Sequence, residues 1–260
     1  MFENPSLPIS KPWENKRDPI FKQWLLTEVS KEPEEWSPDF VAYIEKKYAE
    51  RNREMTEESD GEKNEQVLDE SDFVRSLDIL ALREEEVRNK KTLDLGCHDG
   101  GFVTTCLDKK LTDEVYGLDF ELTGDALDQK YSGHFFSGDF KDALPVQDLD
   151  YVISVGAVSL YLDEESSLDP VRGSVAELAL KNAIMALNEN GEVRIGPIDK
   201  AVRGDLAGVE ASERILSGIL ARVEKEFDIT WKLEPTDIHV TGNEKDVVLN
   251  QVLVITKRSE

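Results

Sequence analysis

The 260-residue chain is poor in the residues that build covalent or metal-held frameworks: it has two cysteines and three histidines. Cys97 and Cys106 stand nine apart and make no disulfide framework. No other Cys or clustered His lies nearby to complete a zinc site, so no metal is expected. No apolar run reaches the roughly 18 residues that a bilayer crossing needs. The N-terminal residues lack the basic and apolar segments of a secretory signal, which makes a reducing cytoplasm the expected setting. Basic residues are also scarce. Thirty-one Lys and Arg face 55 Asp and Glu, for a formal charge of -24 and a pI near 4.5. The excess is spread along the chain, and no third of it is basic. Such a chain repels phosphate backbones at long range, which argues against nucleic acid and anionic membranes as partners. A small molecule, neutral or cationic, is the expected partner. Nothing in the sequence sets an oligomeric state.

What is present divides the chain in two. Residues 1–65 hold three of the four Trp (Trp13, Trp24, Trp36). They show helical spacing at Phe21, Trp24, Leu25 and Glu28, and again at Phe40, Ile44 and Tyr48. Ser37-Pro38 reads as a helix start, and Glu50 to Gln66 as a helix end running into a charged linker. The expectation is an N-terminal helical extension plus linker over 1–65, followed by a Rossmann-like domain over 66–260. In that second part strands and helices alternate. Strands are predicted at 92–95, 114–118, 134–137, 149–155 and 192–196, with helices at 102–109 and 122–129, one capped by Asp169-Pro170 and ended by Asn190-Gly191, and one from Leu206 to Val223. Two further strands, 228–233 and 247–256, are joined by a turn at Gly242-Asn243. The fold class implied is α/β: a doubly wound, mostly parallel seven-stranded sheet with a C-terminal antiparallel hairpin. In such sheets ligands sit beyond the carboxyl ends of the strands.

The residues at those strand tips are the informative ones. Leu93-Asp94-Leu95-Gly96-Cys97-His98-Asp99-Gly100-Gly101 turns the first strand into the first helix. Gly96 and Gly100 permit a tight turn and close approach of a ligand to backbone. The next strand ends at Asp119-Phe120, where a carboxylate is placed to grip ribose hydroxyls. The third ends at Asp139-Phe140, an acid and an aromatic suited to an adenine ring. A dinucleotide site needs G-x-G-x-x-G. Here His98 occupies the second glycine's place, and Asp94 is ill placed beside a pyrophosphate but well placed beside an ammonium or sulfonium. The balance favours S-adenosylmethionine over NAD.

On these residues the chain resembles the Rossmann-like S-adenosylmethionine-dependent methyltransferases over about residues 70–257. The family's first motif is matched by Asp94, Gly96 and Gly100, with His98 replacing its middle glycine, a position where His tolerates left-handed backbone better than most residues. The resemblance implies S-adenosylmethionine as cofactor. It implies ribose contact from Asp119, adenine contact from Asp139 with Phe140 near the ring, and Cys97, His98, Phe120 and Ser154 around the cofactor. It also implies a methyltransferase acting on a small molecule at O, N or C. The alternatives are a non-catalytic module that keeps the fold to bind protein or cofactor, and methylation of protein or RNA. No Asn/Asp-Pro-Pro-aromatic motif follows the fourth strand, which argues against nucleobase amino groups. No catalytic residue is defined. Tyr161 and His239 are the candidates, with Asp163 and Arg203 as further residues near an acceptor. The N-terminal segment is expected to be either a lid over the acceptor or a packing pad.

Overall fold

The computed structural model describes residues 13, 16, 18–57, 65–162, 170–203, 207–240 and 246–258. Helices α1 (Pro19–Val29), α2 (Pro38–Glu57), α3 (Glu65–Ile79) and the short α4 (Glu84–Val87) precede strand β1 (Thr92–Leu95). Then come α5 (Gly101–Asp108), β2 (Val115–Asp119), β3 (Phe135–Ser137), β4 (Leu149–Val155) and α6 (Pro170–Ala186). Strand β5 (Leu187–Arg203), α7 (Ala207–Val223), β6 (Ile229–Val240) and β7 (Val247–Lys257) complete the chain. The seven strands form one sheet in the order β3-β2-β1-β4-β5-β7-β6. β3, β2, β1, β4 and β5 run parallel, and β7 is antiparallel to both β5 and β6. This is the expected architecture. Among the described residues no helix is long and apolar enough to cross a membrane.

Helices cover both faces of the sheet because each offers it an apolar stripe. α6 lays Ala176, Ala179, Leu180, Ala183 and Ile184 on one core, joined there by Leu216, Ile219 and Leu220 of α7. The small alanines let α6 approach the strands closely. A second core gathers Phe73 and Leu77 of α3 with Phe102, Val103 and Cys106 of α5. β1, with all four residues buried, lies between them and carries no polar surface except at its tip.

The N-terminal extension has a third core of its own. Trp13, Phe21, Leu25, Trp36, Phe40, Tyr43 and Ile44 pack on Ile238 and Val240 of β6 and Val247 and Leu249 of β7. The Ser37-Pro38 start is observed: Ser37 Oγ accepts the Phe40 amide at 3.2 Å, an N-cap ahead of a proline at the first turn.

The helix end expected from Glu50 is observed, with α2 running to Glu57 and α3 starting at Glu65; residues 58–64, where the expected linker falls, lie outside the described residues. Four other local expectations need correction. The helix predicted at 122–129 is two short 3-10 turns, Gly124–Leu127 and Gln129–Tyr131. Asn190-Gly191 does not end α6, which stops at Ala186; Asn190 does take the left-handed angle, with φ 64°, but inside β5. Finally, β5 does not stop at Gly196. It continues to Arg203 because β7 pairs with it, the register breaking between Ile195 and Ile198 where Pro197 interrupts the ladder. β6 likewise extends past Leu233 to Val240. Asp169, Leu206 and the Gly242-Asn243 turn lie outside the described residues.

Candidate functional site

The turn after β1 is built from three left-handed residues at every second position. Gly96, His98 and Gly100 have φ of 77°, 48° and 85°. The glycines are required twice over: a Cβ on Gly96 would come within 2.2 Å of the Ala157 Cβ, and one on Gly100 within 2.4 Å of the Phe135 ring. His98 adopts the third left-handed angle, as its residue type allows. Its amide donates to Asp119 Oδ2 at 2.9 Å, which ties the first turn to the tip of β2. Its exposed ring rests near Thr123, with Nδ1 3.5 Å from the hydroxyl.

Two carboxylates flank this turn in different surroundings. Asp94 is buried. Burial, followed by the charges of Asp119 and Asp99, pushes its carboxyl up to about 7. Among the described residues no cation offsets these effects. Asp119 is also buried, but each of its oxygens already accepts an amide, from His98 and from Glu121 at 3.0 Å. Each carboxylate oxygen keeps a second lone pair for a ligand. Cys97 is buried, and burial followed by Asp94 and Asp119 raises its thiol far above the usual range. It is a packing thiol, its Sγ 2.6 Å from where a Gly117 Cβ would stand. Cys106 is raised by burial too, and both cysteines are free thiols.

The other expected residues are placed less uniformly. Phe120 is 74% exposed at the end of β2, whereas Phe140 is buried, with its ring edge-on to Tyr161 at 5.7 Å. The free aromatic face at these tips therefore belongs to Phe120. Asp139 is paired with Lys141 at 2.7 Å, which holds its carboxyl below the ordinary value against the effect of burial. Ser154 is fully buried and engaged with backbone alone. It donates to the Leu95 carbonyl at 2.9 Å and accepts the Val158 amide at 3.1 Å. It braces the tip of β1 and does not face the cleft. Tyr161 packs on Phe140, away from the cleft. Arg203 lies over the Trp36 ring at 5.7 Å and so serves the extension. Asp163 lies outside the described residues.

A cleft of about 890 Å³ opens at the carboxyl ends of the strands, near the upper end of the range for small-ligand sites. Asp94, Gly96, Cys97 and His98 line one side, with Val155 and Gly156 from the end of β4. His239 of β6 and Asp199 of β5 line the other, so the geometry brings His239 into the site and leaves Tyr161 out. Burial raises the Asp199 carboxyl, while His239 works the other way. None of Trp13, Trp24, Trp36, Val158 and Leu160 lines the cleft. Among the described residues no cluster of His, Cys, Asp or Glu is arranged to hold a metal.

Among the lining residues that went unrecognised in the sequence are Lys16, Lys47 and Asp237. Asp237 was hidden because its strand was expected to end at Leu233. Lys47 stands one helical turn after Tyr43 on α2, a spacing readable as helix but silent about what the lysine meets. The extension thus contributes wall as well as padding.

The comparisons with known proteins bear on the family and the fold. The sequence model of the FtsJ-like methyltransferase family matches residues 76–210, more than half of the chain, which therefore belongs to that family of methyltransferases. Its sheet is the Rossmann-like one that the tip residues implied. No curated protein sequence matches the chain. Among solved structures, it is similar to the magnesium protoporphyrin IX methyltransferase of Synechocystis PCC 6803, at 15% identity and TM-score 0.44, covering 76% of this chain and 86% of that one. It is also similar to the N-methyltransferase NodS of Bradyrhizobium japonicum WM9, at 12% identity and TM-score 0.45, covering 73% and 96%. A TehB-like methyltransferase of Corynebacterium glutamicum matches at 22% identity and TM-score 0.37, covering 84% and 100%.

Proposed function

We propose that this methyltransferase transfers the methyl group of S-adenosylmethionine to a small molecule held in the cleft. The observation that carries the reading is Asp94: a buried carboxylate lining a ligand-sized cleft, on which, among the described residues, only burial and like charges act. A buried charge is costly unless paired, and a ligand bearing an ammonium or sulfonium would supply the missing partner. Gly156 adds room on the same wall, since a Cβ there would meet nothing within 4 Å. The cofactor supplies a methyl group already activated on sulfur, so the protein's task is chiefly in-line placement. Asp119 would hold the ribose through its remaining lone pairs, and Asp139 and Phe120 would flank the adenine at the next two strand tips. His98 and Cys97 would contact the cofactor through the backbone of the turn. His239 is the base available on the facing wall if the acceptor arrives protonated.

A small acceptor is favoured over RNA by the charge of -24 and by the concave shape of the site. Two buried free thiols suit a reducing cytoplasm. Calorimetric titration with S-adenosylhomocysteine and with NAD tests the cofactor; heat from NAD alone would overturn the reading. Radiolabelled methyl transfer to a pooled metabolite extract, set against total RNA, tests the acceptor. Label that enters only the RNA would refute the small-molecule assignment.

A further inference from the structure

A second charged centre faces the same cleft, where the extension meets β6. Asp237 accepts Lys16 Nζ and Lys47 Nζ on one oxygen, each at 2.6 Å. Its other oxygen accepts the hydroxyl of the fully buried Tyr43 and the Ile238 amide at 2.8 Å. The carboxylate is saturated, but the lysines are not. Two ammonium groups share one negative charge, and each has three N–H donors. Both line the cleft. Lys47, with its side chain only 15% exposed, has Glu50 at 3.7 Å as a further anion, and that carboxylate is shared with Lys46 at 3.5 Å. Asp78 also acts on Lys16. Within the group of Lys16, Lys47 and Asp237 one positive charge is left over, in a chain whose net charge is -24.

We propose that Lys16 and Lys47, held in place by Asp237, form an oxyanion subsite that binds a carboxylate or phosphate group of the methyl acceptor. The subsite rests on the methyltransferase reading above and narrows it. The acceptor is an anion whose charged end lies on the extension and whose reacting atom points toward the end of β1. Pro197 and Ile238, which also line the cleft, would meet its apolar body. Three features support a ligand role over a purely structural one. The lysines come from separate segments of the extension, 31 residues apart, and converge on one oxygen. Two lysines share the Asp237 carboxylate, and the other close anion of Lys47, Glu50, is itself shared with Lys46. Burial together with Lys16 also holds the Lys47 ammonium below its ordinary pKa, a penalty that a bound anion would remove.

The test uses the full chain saturated with S-adenosylhomocysteine and ligand pairs differing only in the anion: benzoate against benzamide, and phenyl phosphate against phenol. Binding is read by thermal shift and calorimetry at fixed ionic strength. The acid of at least one pair is expected to bind about tenfold more tightly than its neutral partner. Lys16→Gln, at a side chain 36% exposed and therefore safe for folding, should cut that ratio several-fold. Lys47→Arg, which keeps the charge, should preserve most of it. The pair with the larger ratio tells whether the group is a carboxylate or a phosphate. Equal binding of acid and neutral partner in both pairs, or an unchanged ratio in Lys16→Gln, overturns the subsite. Failure of S-adenosylhomocysteine to bind the unaltered chain instead overturns the cofactor reading, so the two failures are distinguishable.

Discussion

Asp94 and Asp237 line the same cleft and are both largely removed from water, yet the protein treats them in opposite ways. Around Asp94 it supplies burial and two more carboxylates, and the group is pushed up to about 7. Around Asp237 burial alone would do the same, but the charges of Lys47 and Lys16 outweigh it and hold the carboxyl below its ordinary value. A buried acid completed by its own chain is a structural part. A buried acid left incomplete beside a cleft is the one proposed above to receive a ligand's cation. On the two proposals above, the pair divides the cleft into an end for a cation and an end for an anion.

The sharpest way to break this contrast is to neutralise each acid. Asp94→Asn should weaken S-adenosylhomocysteine at pH 8 by roughly thirtyfold or more, since losing one member of a buried charge pair costs about 2–5 kcal/mol. The same change should stabilise the ligand-free chain. With its folded pKa raised, Asp94 favours folding little in the acid range, and an ionisation cost grows as pH climbs from the unfolded value near 4 through about 7. Melting curves of Asp94→Asn and the unaltered chain should thus coincide near pH 4 and diverge, variant higher, by pH 8. A lower melting temperature for the variant at pH 8 would mean that Asp94 has an internal partner after all.

Asp237→Asn should act in the reverse sense. It leaves two ammonium groups without their counter-charge, a loss of about 2–4 kcal/mol by urea unfolding. Because the folded pKa of Asp237 is depressed, the contribution that it makes is present above the unfolded value and lost as pH falls through the folded one. The deficit of Asp237→Asn should accordingly shrink in acid. Were the two asparagine variants to shift stability in the same direction at pH 8, the contrast would fail.

A smaller effect is expected from Tyr43→Phe, which removes one donor to Asp237 and should cost about 1–2 kcal/mol with S-adenosylhomocysteine binding intact. The smallest belongs to His98→Gly. The ring is exposed and rests toward Thr123, so affinity for S-adenosylhomocysteine should change less than threefold. Tightening beyond tenfold would mark the imidazole as an obstruction, and an equal weakening as a contact.

These contrasts also show which parts of the molecule local sequence could reveal. The β1 turn was legible because each requirement is local: Gly96 and Gly100 need angles that few residues adopt, and Asp94 precedes them on a strand of four buried residues. Phe120 was legible in place, but its advantage over Phe140 was not. Both follow an aspartate at a strand tip, and only packing into the sheet's core, with Tyr161 edge-on, hides one of them. Ser154 misled for the same reason, since nothing nearby in sequence shows that its hydroxyl is taken by the Leu95 carbonyl. Asn190-Gly191 and Gly196-Pro197 carry strong turn signals that the sheet overrode. β7 pairs along β5 on both sides of Pro197, and the ladder absorbed the proline as a bulge.

By itself, the sequence determined the alternation of strands and helices, the glycine-bearing turn after β1 and the acids at three successive strand tips. These follow from periodicity and backbone angle, which neighbouring residues set among themselves. Only the tertiary structure decided which side chains share a cleft. It brought Lys16 and Lys47 onto Asp237, and His239 across from Asp94, through strand pairings and helix packing between segments up to 221 residues apart. Net charge is a sum over the whole chain, whereas electrostatic attraction depends on distance. A strongly acidic protein can therefore hold a cationic corner that no reading of its composition reveals.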